Sequence, residues 1–582
     1  MTPNLAARPS GSPNPAPAPG NRGFWPMRDI PTLAWLLLTV AAALAQGVLP
    51  MPRWLMIHLL LLGAVTQGIL VWSQYFSFAL LRSRAADSDR RTQTIRLILS
   101  NAGAVLVITG VSLHVWPVTL VGAAGLVAAV IWHGASLMRR AGRSMPGRFG
   151  RTLRYYVTSA ALLTIGVGLG AWLARGGVGD DIVLAHVFLN VLGWIGLTVA
   201  GTVVTLWPTI LRTRADKHAG AGAARALPLM AGGVVVAAAG AALSQPMVVA
   251  LGLFAYFAGL VIIGLSLVRA ARRKAPRSFA ALAVGMALAW WAGAVATIAV
   301  GAVVISASGA AFGALAGLVD RTVPFLAAGF AAQVVVGALS YLIPVVLGGG
   351  PRSVRAGTTA FDAAGTLRVT VANAALAVCA LPVSSLVRGA AATLYLITMA
   401  SFLFVMLRAM RAQRLAKASQ VALGPDQIPA VDAGSGSPAI PEGERSRRRR
   451  AGQAIAGLAV VLLVAAGAAA LGGGTAMTGD QDAPVKTVHV EAANMRFTPD
   501  RIEVPVGTHL VIKITNTDKQ LMHDLVLANG ATSEHLLPGQ SGTIDAGVIT
   551  ADIDGWCSIS DHRQMGMTLR IVTASASASP EP

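Results

Sequence analysis

The sequence predicts a polytopic α-helical membrane bundle of about 12 + 1 spans followed by a small β-sandwich. Three observations predict it. The 582-residue chain has a mean hydropathy of +0.64 and only 12% charged residues, which assigns most of it to lipid. Apolar runs of about 18 to 30 residues, each able to cross a hydrocarbon core about 30 Å thick, recur from near Pro31 to about Met410, and one more follows a polar linker. Beyond Val485 the apolar period shortens from that of a helix to two residues.

In chain order, residues 1–30 are rich in Pro, Gly, Asn and Ala and lack the pattern of a cleaved signal peptide, so they read as a disordered cytoplasmic tail. Residues 31–412 form the twelve-span block. Basic loops follow the second run (Arg82, Arg84, Arg90, Arg91), the fourth (Arg139, Arg140, Arg143, Arg148), the sixth (Arg212, Arg214, Lys217), the eighth (Arg269, Arg272, Arg273, Lys274) and the tenth (Arg352, Arg355). The net charge of +21 therefore reports topology and implies no nucleic-acid partner: the N-terminus and the end of the twelfth run are expected inside. Residues 413–451 read as a disordered cytoplasmic linker ending in Arg447-Arg448-Arg449-Arg450, so the thirteenth span, 452–471, runs outward. The chain beyond Gly472 is then extracytoplasmic, closing on a disordered tail, 574–582.

Between 484 and 573 the alternation of Leu510, Ile512 and Ile514 against Val511, Lys513 and Thr515 marks a half-buried strand. Further strands fit Lys486–Ala492, Arg501–Val504, Met522–Ala528, Gly542–Asp545, Ile549–Trp556 and Met567–Val572, with turns at Asn516-Thr517-Asp518 and Pro538-Gly539. Seven or so short strands in about 90 residues make a small sandwich.

Only two cysteines are present, Cys379 in an apolar run and Cys557 in the sandwich, so there is no disulfide framework. Cys557, His562 and Met567 stand in a Cys-x4-His-x4-Met spacing, and His523 lies upstream on a strand. A lone cysteine in a sandwich is ordinarily an inert core thiol. The combination argues otherwise: a thiolate, two imidazoles and a weak thioether are the ligand set of blue copper. With Asn494-Met495-Arg496-Phe497, Val504-Pro505-Val506-Gly507, Met522-His523-Asp524 and Pro538-Gly539, the segment Val488–Val572 resembles the cupredoxin family. Its loop from Trp556 to Met567 looks most like the type 1 copper loop of copper nitrite reductases and related multicopper oxidases. The resemblance implies one type 1 copper, with His523, Cys557 and His562 as equatorial ligands and Met567 as the axial one. Asp524 stands where many cupredoxins have Asn, a departure at the position that bonds toward the cysteine loop. His489, His509 and His535 have no ligand spacing and read as surface residues.

Histidine is costly in lipid, so each one in the bundle needs a partner or a role. His58, His114 and His186 share the outer depth, where a pair can hold a b-type haem or all three a copper ion; the plainer alternative is that each caps or bonds a neighbouring helix. His133 falls toward the cytoplasmic end. The block, with Ala185-His186-Val187-Phe188-Leu189-Asn190-Val191-Leu192-Gly193-Trp194 and the polar Gln333, Ser340 and Pro344, looks distantly like the membrane subunit of haem-copper oxidases and NnrS-type proteins. It departs from them in lacking paired histidines in later spans, which argues against an oxygen-reducing site. The absence of Glu throughout residues 1–412 argues against proton pumping.

The function expected is electron transfer: a membrane-bound redox carrier exchanging electrons with a small redox protein or a respiratory-chain donor or acceptor. An enzymatic role within a copper nitrite reductase or multicopper oxidase system, and a role in copper uptake or handling, are the alternatives. The first needs extra histidine pairs for further copper. The second needs Met-rich or His-rich spans, which the sequence does not provide.

Overall fold

Lipid offers no hydrogen bonds, so an apolar chain must satisfy its backbone within each segment, and here it does so as helices. The structure, a computed structural model, describes residues 26–49, 51–81, 87–142, 152–176, 179–422, 444–473, 484–519, 521–559, 562 and 566–574. The expected tails, most of the linker and Met565 lie outside the described residues. The chain divides into two compact units, Met1–Ala377 with Leu394–Val460 and Val378–Thr393 with Val461–Pro582.

The helices are α1 (Ile30–Leu44), α2 (Pro52–Leu80), α3 (Asp87–Ser112), α4 (Trp116–Gly142), α5 (Thr152–Leu173), α6 (Asp180–Ile210), α7 (Ala219–Ala242), α8 (Pro246–Arg273), α9 (Phe279–Ser308), α10 (Gly313–Leu347), α11 (Gly350–Asp362), α12 (Gly365–Ala380), α13 (Ser385–Ala422) and α14 (Glu444–Gly473). Among the described residues twelve helical stretches are long and apolar enough to span a membrane: α2 to α10, α11 with α12, α13 and α14. The first expected span is shorter than its apolar run: α1 has 15 residues, about 22 Å of rise, and stops before Gly47 and Pro50. At the other end, Pro382 stops α12, while α13 runs 38 residues to Ala422, past the expected start of the linker.

Small residues let the helix backbones approach closely. A Cβ on Gly252 of α8 would meet Ala237 N at 2.4 Å and Gly233 O of α7 at 2.6 Å; Gly103 of α3 and Gly122 of α4 face each other in the same way, each Cβ 2.7 Å from the other's carbonyl oxygen. Polar side chains pin α1 to its neighbours: Trp35 Nε1 donates to Asn101 Oδ1 at 2.7 Å, and Asn101 Nδ2 to Gln67 Oε1 at 2.8 Å. Among the described residues three helices carry a wide π turn, at Leu59–Val65 in α2, Phe188–Gly196 in α6 and Phe325–Ala332 in α10. Apolar periodicity does not distinguish such turns from ordinary helix.

The sandwich consists of β1 (Val485–Ala493), β2 (Arg496–Thr498), β3 (Arg501–Pro505), β4 (Thr508–Asn516), β5 (Val526–Leu527), β6 (Ser541–Ile549), β7 (Ile553–Trp556) and β8 (Thr568–Ala574). One sheet has the order β2-β1-β4-β6 and the other β3-β8-β7-β5, with β1 parallel to β4 and β3 parallel to β8. Leu510, Ile512, Ile514 and Ile544 from the first sheet meet Ile502, Val504, Leu569 and Ile571 from the second in a closed core. Two strands differ from expectation. Met522–Ala528 pairs as a strand only at Val526–Leu527, because His523 is engaged in an isolated bridge to Leu536. Ile549 ends β6 rather than starting the next strand, and the three-residue β2 carries too short a pattern to read.

The close backbone contact at Gly252 predicts that Gly252→Leu destabilises the bundle by about 1–3 kcal/mol or more. Gly232→Leu, which meets nothing within 4 Å, leaves it unchanged. Thermal unfolding of the two variants in detergent compares them directly; equal melting temperatures would contradict the packing described.

Candidate metal centre

The ligand loop begins where β7 ends. Trp556 pairs with Thr568, so the next residues outward, Cys557 and Met567, sit opposite each other, and Cys557 N donates to Met567 O at 3.1 Å. Inside the loop, Met567 N donates to His562 O at 2.9 Å and His562 N to Ile559 O at 3.1 Å. Gly566 reaches φ +95°, where a side chain would be strained, and so turns the chain into β8.

His523 lies on the stretch that leads into β5, the neighbour of β7 in the same sheet, three residues before Val526, which pairs with Trp556. Its backbone exchanges two hydrogen bonds with Leu536 (3.0 and 2.8 Å), and the buried Asn516 amide donates to Leu521 O at 2.8 Å and Leu536 O at 2.7 Å. Asp518, at the turn after β4, accepts from His523 Nε2 at 3.2 Å. With the proton on Nε2, Nδ1 of His523 presents its lone pair to the interior.

Three donor atoms converge there. His523 Nδ1 and His562 Nδ1 are 3.2 Å apart, and Cys557 Sγ lies 4.0 Å from the first and 3.4 Å from the second. All three side chains are buried, His523 completely. Among the described residues this is the one group of three or more His, Cys, Asp or Glu side chains able to share an ion, with all ligand atoms within 4.8 Å of one another. A metal bonded to N and S at about 2.0–2.3 Å separates its ligand atoms by roughly 3.3–3.8 Å, a range that edges of 3.2, 3.4 and 4.0 Å bracket to within about 0.2 Å. Met567 is fully buried in the same apolar core as Cys557.

Asp524 braces the loop. Its Oδ1 accepts from Ser558 N at 2.6 Å, its Oδ2 accepts from the Ser558 hydroxyl, and His535 Nε2 stands 3.5 Å away. The acid in place of the amide thus still bonds the cysteine loop. Asp518 and Ser558 are the supporting residues that sequence reasoning missed. Asp518 was legible only as part of a turn, since nothing local shows a turn carboxylate reaching a histidine five residues on. His489 is exposed and His509 pairs with Asp545 at 2.7 Å, consistent with surface roles.

The candidate residues of the membrane block separate. His58 and His186 come together with ring centroids 6.5 Å apart. His114 lies exposed on the turn between α3 and α4 at φ 55° and has no described contact with either, so the fold brings together two of the three histidines and not the third. His133 is buried against Ser73 Oγ at 2.9 Å.

Two sheets, a loop from the end of β7 carrying Cys and His, and a second His from the stretch before the neighbouring β5 define a cupredoxin-like domain at the C-terminal end of a multi-pass membrane protein. Residues 455–551 match the cupredoxin-like domain family, a match that stops six residues short of Cys557. The dithionite-reduced auracyanin of the photosynthetic bacterium Roseiflexus castenholzii shares 18% identity, over 15% of this chain and 96% of that one, with a TM-score of 0.15. Auracyanin B shares 19% identity, over 16% of this chain and 92% of that one, also with a TM-score of 0.15. No curated protein matches the chain.

Burial pushes the Cys557 thiol up to about 12, with the Asp524 carboxylate adding to the rise against the backbone N–H groups of Asp524 and Ile559, which lower it. Such a thiol loses its proton only on bonding a metal. The apparent affinity for Cu(I) should therefore rise about tenfold per pH unit across the neutral range from Cys557 alone, as read by chelator competition. An affinity independent of pH would contradict a buried, protonated thiol.

Proposed function

We propose that this protein is a membrane-bound electron-transfer protein holding one type 1 copper through His523, Cys557 and His562, with Met567 as the axial ligand. The observation that carries the reading is the buried triangle of two imidazole nitrogens and one thiol sulfur within 4.8 Å. Copper in such a site supplies a one-electron couple between Cu(I) and Cu(II). The chain supplies rigidity. The Cys557–Met567 backbone bond closes the loop, Asp524 holds its first turn, and Asp518 fixes the His523 tautomer, so the donors need little rearrangement when the charge changes.

The alternation of basic loops supports an orientation with the N-terminus in the cytoplasm and the cupredoxin-like domain outside, where it meets a small redox protein or a respiratory-chain donor or acceptor. Protease added to intact cells should remove the domain beyond Gly472 and spare the Arg447–Arg450 cluster. A protected C-terminus would sink this orientation.

The four ligands are separable by substitution in the full chain. Cys557→Ser should abolish the intense visible band, because that absorption is thiolate-to-copper charge transfer. His523→Ala and His562→Ala should weaken copper binding and alter the spectrum, each removing one equatorial nitrogen. Met567→Leu should keep the colour and raise the reduction potential, since losing a weak axial thioether mainly destabilises Cu(II). Met565→Leu serves as the control. A potential that moves with Met565 and not with Met567 would reassign the axial ligand, and a blue Cys557→Ser protein would end the reading.

A further inference from the structure

The electron-transfer reading leaves His58 and His186 of the membrane block without a role, yet their surroundings treat them alike. Nδ1 of His58 lies 2.8 Å from the carbonyl oxygen of Trp54, and Nδ1 of His186 lies 2.9 Å from that of Gly166. A carbonyl only accepts, so Nδ1 of His58 carries the proton; Nδ1 of His186 faces both the Gly166 carbonyl and the Asn190 amide, and with its proton given to the nearer carbonyl it too leaves the Nε2 lone pair free. Two unrelated carbonyls thus select one tautomer, the one a metal-binding histidine takes when a backbone oxygen orients it from behind.

Packing fixes the rings as well. The Trp54 ring stacks on His58 with centroids 4.0 Å apart. On the other helix, Asn190 Nδ2 donates to the His186 carbonyl at 2.7 Å and lies 3.1 Å from its Nδ1. Two glycines of α5 make room for this group: a Cβ on Gly170 would meet His186 Cε1 at 2.7 Å, and one on Gly166 would meet the Asn190 amide at 2.6 Å. Each histidine also stands immediately before, or two residues before, a π turn, at Leu59 and Phe188. Such turns are frequent at functional sites because they re-aim side chains within a helix.

The ring centroids are 6.5 Å apart and the ring planes 23° from parallel. Two imidazoles bonded from opposite sides to one metal at about 2.0 Å, with each centroid about 1.1 Å behind its nitrogen, give a separation of about 6.2 Å. We propose that His58 and His186 bind one first-row metal through their Nε2 atoms, forming a second centre inside the membrane block. The metal is either a copper ion or the iron of a haem, both of which accept two neutral imidazoles. This inference is independent of the Cys557 site.

The test uses the full chain carrying Cys557→Ser, which removes the thiolate of the first site, produced with copper and a haem precursor supplied. We expect about one equivalent of iron or copper per chain to remain. A Soret band with a pyridine haemochrome spectrum would identify haem, and copper without a Soret band would identify the bare ion. His58→Ala and His186→Ala should each lower that content at least about tenfold, and Gly170→Ala, which displaces the His186 ring without removing a nitrogen, should lower it too. His114→Ala should leave it unchanged, and monodisperse elution in detergent checks that each variant has folded. Neither metal in the Cys557→Ser protein, or a content indifferent to His58→Ala and His186→Ala in monodisperse protein, would overturn the proposal.

Discussion

The hydrogen bond from Cys557 N to Met567 O closes the ligand loop at its base, and the geometry of the metal centre depends on it. It continues the β7–β8 ladder by one pair beyond Trp556 and Thr568, so the two ends of an eleven-residue segment are tied as firmly as neighbouring strands. Above that bond His562 is placed by its backbone contacts to Ile559 and Met567. The thiol arrives from the end of β7 and His523 from the bridged stretch before the neighbouring β5, so two rigid elements set the distance between sulfur and nitrogen.

The membrane block meets a different constraint. With no hydrophobic driving force between helices in lipid, close backbone approach and interhelical polar contacts must hold the bundle together. Facing glycines at Gly103 and Gly122, and at Gly233 and Gly252, provide the first, and the Trp35–Asn101–Gln67 chain provides the second. Gly170 belongs to the same economy of small residues, but the space it leaves is filled by an imidazole rather than by backbone.

Much of this was legible in the sequence because it is periodic or local. The apolar runs located the helices, the two-residue alternation located most strands, and the Cys-x4-His-x4-Met spacing marked the loop whose Cys and His meet His523. What was not legible depends on tertiary direction. Depth along a helix follows from counting residues, so His58, His114 and His186 could be set at one level. Which way each faces does not follow, and His114 proved to lie on an exposed turn while the other two meet. Asp518 shows the same limit within the sandwich, since its partner is fixed by how the chain folds back after β4. The parallel pairing of β1 with β4 and of β3 with β8 is equally hidden, because alternation records which face is buried and not which strand lies alongside.

At 38 residues α13 is about 57 Å long, against a hydrocarbon core of about 30 Å, so roughly half of it extends beyond the acyl chains. Its later turns carry Arg408, Arg411, Arg414 and Lys417, all exposed and three residues apart, while Gln413 Nε2 is tied to the carbonyls of Pro344 and Gly348 at 2.8 Å each. Mechanically this makes α13 a strut with a graded row of cationic grips. A row of this kind lets long side chains reach up or down to phosphates at more than one depth, so a helix built this way can meet bilayers of different thickness without unwinding a turn.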